Sequence, residues 1–149
     1  MVARPARDLL QAARQQQTRD WWDLKRQQHE LFTSQIVLDE IVGGEAAMAK
    51  QRVELMSGIA FLRATDEVEA LTQKILDSGV LPAQAERDAA HIALATVHEM
   101  DILLSWNCRH IANAFIQAKL RKVMEAGGFT LPVICTPDEL LENDHEQSD

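Results

Sequence analysis

Residues 85–113 limit most sharply what this chain can fold into. They read Ala85-Glu-Arg-Asp-Ala-Ala-His-Ile-Ala-Leu-Ala-Thr-Val-His-Glu-Met-Asp-Ile-Leu-Leu-Ser-Trp-Asn-Cys-Arg-His-Ile-Ala-Asn113. An alanine-rich stretch of helix-forming residues runs into a short apolar strand, Ile102 to Ser105, and the strand runs out at Asn107, where another helix begins. Helix, strand and helix in such close succession belong to an α/β chain. In open α/β sheets the site forms beyond the carboxyl ends of the strands. Asn107 is therefore a candidate site residue, and Asp101, which precedes the same strand, falls at the opposite pole.

Asp88 stands inside the alanine-rich helix. Positions +3, +4, +7 and +8 share its face, namely His91, Ile92, Ala95 and Thr96. That face is mostly apolar, so it is expected to pack on a sheet. A carboxylate there needs a cation or hydrogen-bond donors. The alternative is an Asp near the first turn, held at the surface by the helix dipole. The residues alone leave both standing.

A chain of 149 residues fits one domain with one core, taken as 1–141, followed by an acidic, mobile tail at 142–149. No apolar run approaches the roughly 18 residues of a spanning helix, and the start lacks the apolar core of a secretory signal. The two cysteines, Cys108 and Cys135, form neither a metal-ligand spacing nor a disulfide framework. A reduced, cytoplasmic protein with no membrane contact is expected. The net charge of -8 argues against a broad phosphate-binding surface. It does not exclude a nuclease, because a carboxylate site is acidic by construction and a metal ion supplies the local positive charge. Arg4, Arg7, Arg14, Arg19, Lys25 and Arg26 gather near the start but are interleaved with Asp8, Asp20 and Asp23, as on a solvated helix face.

Along the chain, residues 5–28 read as helix, with Thr18 a break. A short strand is expected at Leu31–Thr33, then a helix capped by Ser34 and ended by Gly43-Gly44. A further helix is expected over 45–57 and a strand over Ile59–Leu62. Thr65 caps a helix with Val68, Leu71 and Ile75 facing inward, and Leu81-Pro82 opens the helix that holds Asp88. The helix after Asn107 runs to about Glu125, stopped by Gly127-Gly128. Val133–Cys135 is the last strand, and Pro137 starts a short helix. Short apolar strands alternating with helices indicate an α/β fold with a parallel sheet covered on both faces.

The block Trp106-Asn-Cys-Arg-His-Ile-Ala-Asn113 resembles the C-terminal half of PIN-domain proteins, which are metal-dependent nucleases, and is closest to a VapC-like subgroup. The likeness continues through Val133-Ile-Cys-Thr-Pro-Asp-Glu-Leu-Leu141. It reaches back to Trp21-Trp22 and to Phe32-Thr-Ser-Gln-Ile-Val-Leu-Asp-Glu-Ile-Val-Gly-Gly44, and so covers most of the chain. The resemblance implies a three-layer α/β/α fold with a mostly parallel sheet. It implies a toxin-type endoribonuclease that hydrolyses RNA with water activated by Mg²⁺ or Mn²⁺, an antitoxin partner, and a homodimer.

The resemblance also implies the site. Asp88, Glu40 and Asn107 would be the catalytic and metal-binding set. Glu40 matches the acidic position in the helix after Phe32-Thr-Ser34, and its alternative is a plain surface residue. Asp39 points about 100° away and is expected to face solvent. Many PIN proteins carry Asp where this chain has Asn107. An amide carbonyl can bind a hard cation without adding negative charge, and Asn107 can also cap the following helix. His91, His98 and His110 match no zinc spacing; His110 can bond a phosphate or a carboxylate, but a satisfied, partly buried histidine is the expectation. Trp21, Trp22 and Trp106 could stack bases but are expected as core or interface residues.

One departure bears on activity. PIN-like proteins begin with a strand that ends in an acidic residue, and here Val2 to Asp8 read as helix-forming. The expectation is a PIN-like fold whose N-terminal strand is missing and whose site is incomplete, with weak or no catalysis. In that family the strand is central. Leaving roughly five residues of its neighbours' backbone unpaired, at about 1–3 kcal/mol per buried group, rivals a domain's whole stability of about 5–15 kcal/mol. A start set too far downstream is the favoured explanation. Direct pairing of the flanking strands, or a strand donated by a partner chain, are the others. The alternative function is a non-catalytic PIN-like module that binds an antitoxin-like or related protein.

Overall fold

Ser34 is the hinge of the first strand-to-helix passage. The computed structural model describes residues 30–42, 50, 53–54, 57–105 and 113–136, with the backbone alone at 40–42. The N-terminal helix expected over 5–28, most of the helix expected over 45–57, the helix after Pro137 and the tail lie outside these residues. Strand β1 (Phe32–Ser34) passes directly into helix α1 (Gln35–Val42). The buried Ser34 hydroxyl accepts the Val37 N–H at 3.3 Å, satisfying one of the donors that a helix start leaves open. The strand falls one residue later than expected, since Ser34 stays extended while it caps. Strand β2 (Ala60–Leu62) pairs with β1 in parallel, with Phe32 opposite Ala60 and Ser34 opposite Leu62.

These elements belong to one compact unit, and residues Arg63–Thr136 form a second. The second unit is built on a helical hairpin. Thr65 caps helix α2 (Asp66–Asp77), accepting the Val68 N–H at 3.4 Å. Asp66, Glu67 and Glu69 lie in its first turn and Lys74 in its last, matched to the helix dipole. Val68, Leu71 and Ile75 are buried, as their spacing predicts. A 3-10 turn (Ala83–Ala85) leads into helix α3 (Glu86–Val97), which packs against α2. Ala89, Ile92, Ala93, Leu94, Ala95 and Thr96 are all buried. Small alanine side chains let the two helices approach closely, and the buried Thr96 hydroxyl donates to the Ile92 carbonyl at 2.7 Å. At the open end of the hairpin, His98 Nε2 lies 2.7 Å from the Arg63 carbonyl. A carbonyl only accepts, so this nitrogen carries the proton.

Strand β3 (Ile102–Leu104), helix α4 (Ala114–Ala126) and strand β4 (Val133–Cys135) complete the unit. β3 and β4 are parallel, with Ile102 opposite Val133 and Leu104 opposite Cys135. The helix expected from Asn107 is described from Ala114, with Asn113 as its cap and residues 106–112 outside the described set. Leu120 and Met124 are its buried residues.

The protein is thus mixed α/β with short parallel strands. The single sheet expected from the sequence is described as two parallel pairs, β1 with β2 and β3 with β4. Among the described residues β1 is not bonded to β3, so direct pairing of those strands is not seen. Each strand spans only three residues, shorter than an ordinary strand of about five or six.

Candidate functional site

Asp88 is the third residue of α3, in the helix's first turn. Of the residues sharing its face, Ile92, Ala95 and Thr96 are buried, and His91 is half-buried like Asp88 itself. The face expected to pack does so, and Asp88 sits where its burial begins to fade. Asp88 and His91 are both engaged by neighbouring groups. The first-turn position also suits the dipole-stabilised alternative, so both local explanations of this carboxylate hold together.

Glu40 is helical, in α1, and its side chain falls outside the described set. Its neighbour Asp39 is exposed and accepts a 2.9 Å hydrogen bond from the Gln35 amide, on the solvent side as expected. Asn107 lies outside the described residues, together with Trp21, Trp22, Trp106, Cys108 and His110. Asp101 is exposed and precedes β3, at the amino pole of that strand. His98 is committed to the Arg63 carbonyl, which gives it a structural task. Cys135 is a buried free thiol in β4.

The carboxyl pole of the β3–β4 pair carries two polar residues that the sequence reading passed over. Ser105 follows β3 and Thr136 follows β4, half-buried and buried respectively. The ladder holds them in place, with the Ser105 N–H donating to the Cys135 carbonyl at 3.0 Å. The visible signal was the single polar residue closing each apolar run. Asn113 was also missed as a cap; its side-chain oxygen accepts from Phe115 N–H at 3.0 Å and Ile116 N–H at 3.3 Å. Gln117 was missed as well. From α4 its amide donates to the Ile134 carbonyl at 3.1 Å, joining helix to strand.

Among the described residues no group of three or more His, Cys, Asp or Glu side chains gathers as a metal site. Among them, too, no helix is long and apolar enough to cross a membrane. No protein family, no curated protein and no solved structure matches this chain.

Proposed function

We propose that the chain is a PIN-like domain of the VapC ribonuclease type, in a three-layer α/β/α arrangement, acting on RNA phosphodiester bonds through Asp88, Glu40 and Asn107. The observation that carries this reading is the setting of Asp88. It stands on a helix whose shared face is buried, in a chain whose strands run parallel. The division of the strands into two parallel pairs also supports it, because that is what a sheet without its central strand would present.

The donor chemistry fits the implied ion. Two carboxylates and an amide carbonyl are hard oxygen ligands of the kind that Mg²⁺ and Mn²⁺ prefer. When bound, the ion would supply an activated water and offset phosphate charge. Asp88 and Glu40 bring the negative charge; Asn107 brings none. Cleavage is accordingly weak or absent in the chain as it stands. The same resemblance supplies an antitoxin partner and a homodimer as parts of the proposal.

A second reading, a non-catalytic module that binds an antitoxin-like protein, is favoured by the net charge of -8 and the neutral Asn107. Mn²⁺ titration calorimetry separates the two. Binding that vanishes in Asp88→Asn, with Mn²⁺-dependent RNA cleavage that vanishes in the same variant, supports the nuclease. No binding in either protein, combined with a stable antitoxin complex, supports the module.

A further inference from the structure

The two outer edges of the β3–β4 pair are treated differently. The Val133 N–H donates to the Asp101 carbonyl at 3.0 Å, and the Ser105 N–H donates to the Cys135 carbonyl at 3.0 Å. In a parallel ladder each residue directs its N–H and C=O to one side, and the sides alternate along the strand. Residues 101, 103 and 105 therefore address β4, and Ile102 and Leu104 turn their backbone groups away from it. On β4 the outward residue is Ile134, and its carbonyl is covered by the Gln117 amide. Among the described residues no strand and no backbone group bonds to the outward side of Ile102 and Leu104.

Edges left open are usually blunted by a lysine, a proline or a bulge. β3 has none of these. Ile102, Leu103 and Leu104 are apolar and half-buried along the whole strand. One edge is thus plugged by a side chain, and the other keeps its donors and acceptors in line on an apolar surface. That combination is what strand addition requires, with main-chain bonds giving affinity and alternate side chains giving selectivity.

Charge selects the occupant. The exposed Glu99 and Asp101 stand at the entry to β3. A second copy of this chain would bring the same acidic pair and a net charge of -8 of its own, so copies repel. A lysine or arginine beside the incoming strand would instead lie against Asp101. We propose that the outward edge of β3 receives, as an added strand, an extended apolar segment of another polypeptide flanked by basic residues. This goes beyond the nuclease reading and does not depend on it.

The test needs neither metal nor RNA. The full chain is mixed with a synthetic peptide of alternating valine and threonine carrying a lysine at each end. Amide hydrogen exchange is then followed residue by residue by NMR. The lysine peptide is expected to slow exchange of the Ile102 and Leu104 amides at least tenfold. A version ending in glutamates and a version N-methylated at alternate amides should not. In Asp101→Lys, an exposed change on the side-chain side only, the preference should reverse toward the glutamate peptide. Failure of the lysine peptide to protect these two amides overturns the proposal. Equal protection in Asp101→Lys overturns the charge assignment and with it the occupant. Protection that appears without peptide and grows with protein concentration would assign the edge to a second copy and likewise overturn it.

Discussion

Glu99 and Gly128 hold the same position in two matching helix ends, and only one of them is a glycine. At the end of α3 the Met100 N–H bonds the Ala95 carbonyl at 2.9 Å and the Glu99 N–H bonds that of Thr96 at 3.1 Å. At the end of α4 the Phe129 N–H bonds the Met124 carbonyl at 2.8 Å and the Gly128 N–H bonds that of Glu125 at 3.1 Å. Both are Schellman closures, which place the residue after the cap in the left-handed region. Gly128 has φ 79° and Glu99 has φ 56°. A side chain costs about 1–2 kcal/mol there, against about 0.5–1 kcal/mol of extra chain entropy lost by a glycine.

Glu99→Gly should therefore raise stability by about 0.5–1 kcal/mol. Gly128→Ala should lower it by about 1 kcal/mol. Urea unfolding with an unchanged slope is the measurement. If the glycine at 99 left the midpoint where it was, the strain assigned to Glu99 would be absent.

Asn113 accepts two backbone donors at the start of α4. Asn113→Ala is expected to lose about 1 kcal/mol, and Asn113→Ser to keep most of it, because serine caps nearly as well. Thermal unfolding of both variants decides the matter; equal losses would mean that packing, not capping, explains the residue.

Ile92 is fully buried between the helices of the hairpin. Truncation to alanine should cost about 2–5 kcal/mol through lost burial and an unfilled cavity. The exposed Arg87→Ala one turn away should stay within about 0.5 kcal/mol of the parent. Similar losses at both sites would contradict the burial pattern.

Asp88→Asn should weaken Mn²⁺ binding at least tenfold, whereas Asp39→Asn should leave it unchanged, since Asp39 is exposed and bonded to Gln35. Calorimetry on the two variants side by side separates loss at a site from loss of general negative charge. Equal effects would remove Asp88 from the ligand set.

The local elements were readable because local chemistry governs them. Thr65 with its following acids, Ser34 before its helix, and the Val68–Leu71–Ile75 stripe each carry their own start signal or period. Val133–Cys135 is a strand over the residues expected. What was not readable depends on partners distant in the chain. Whether β1 and β3 share one sheet depends on long-range pairing, and no periodicity within three-residue strands encodes it. Gln117 looked like an ordinary helix residue, because its acceptor lies in another element. Glu99 gave no warning, since a helix closure normally announces itself with glycine. For the site, the buried face behind Asp88 followed from its spacing. The positions of Asn107 and of the Glu40 side chain relative to it did not.

The α2–α3 hairpin has a consequence for the order of events in time. Its helices follow one another in sequence and meet across a short turn, so little loop entropy opposes their meeting. The parallel pairs, by contrast, must each close over an intervening helical segment. The hairpin is therefore expected to form first and to open last. In native-state exchange the amides of Ile92 to Ala95 would be the slowest in this unit, and those of the three-residue strands would escape by smaller openings.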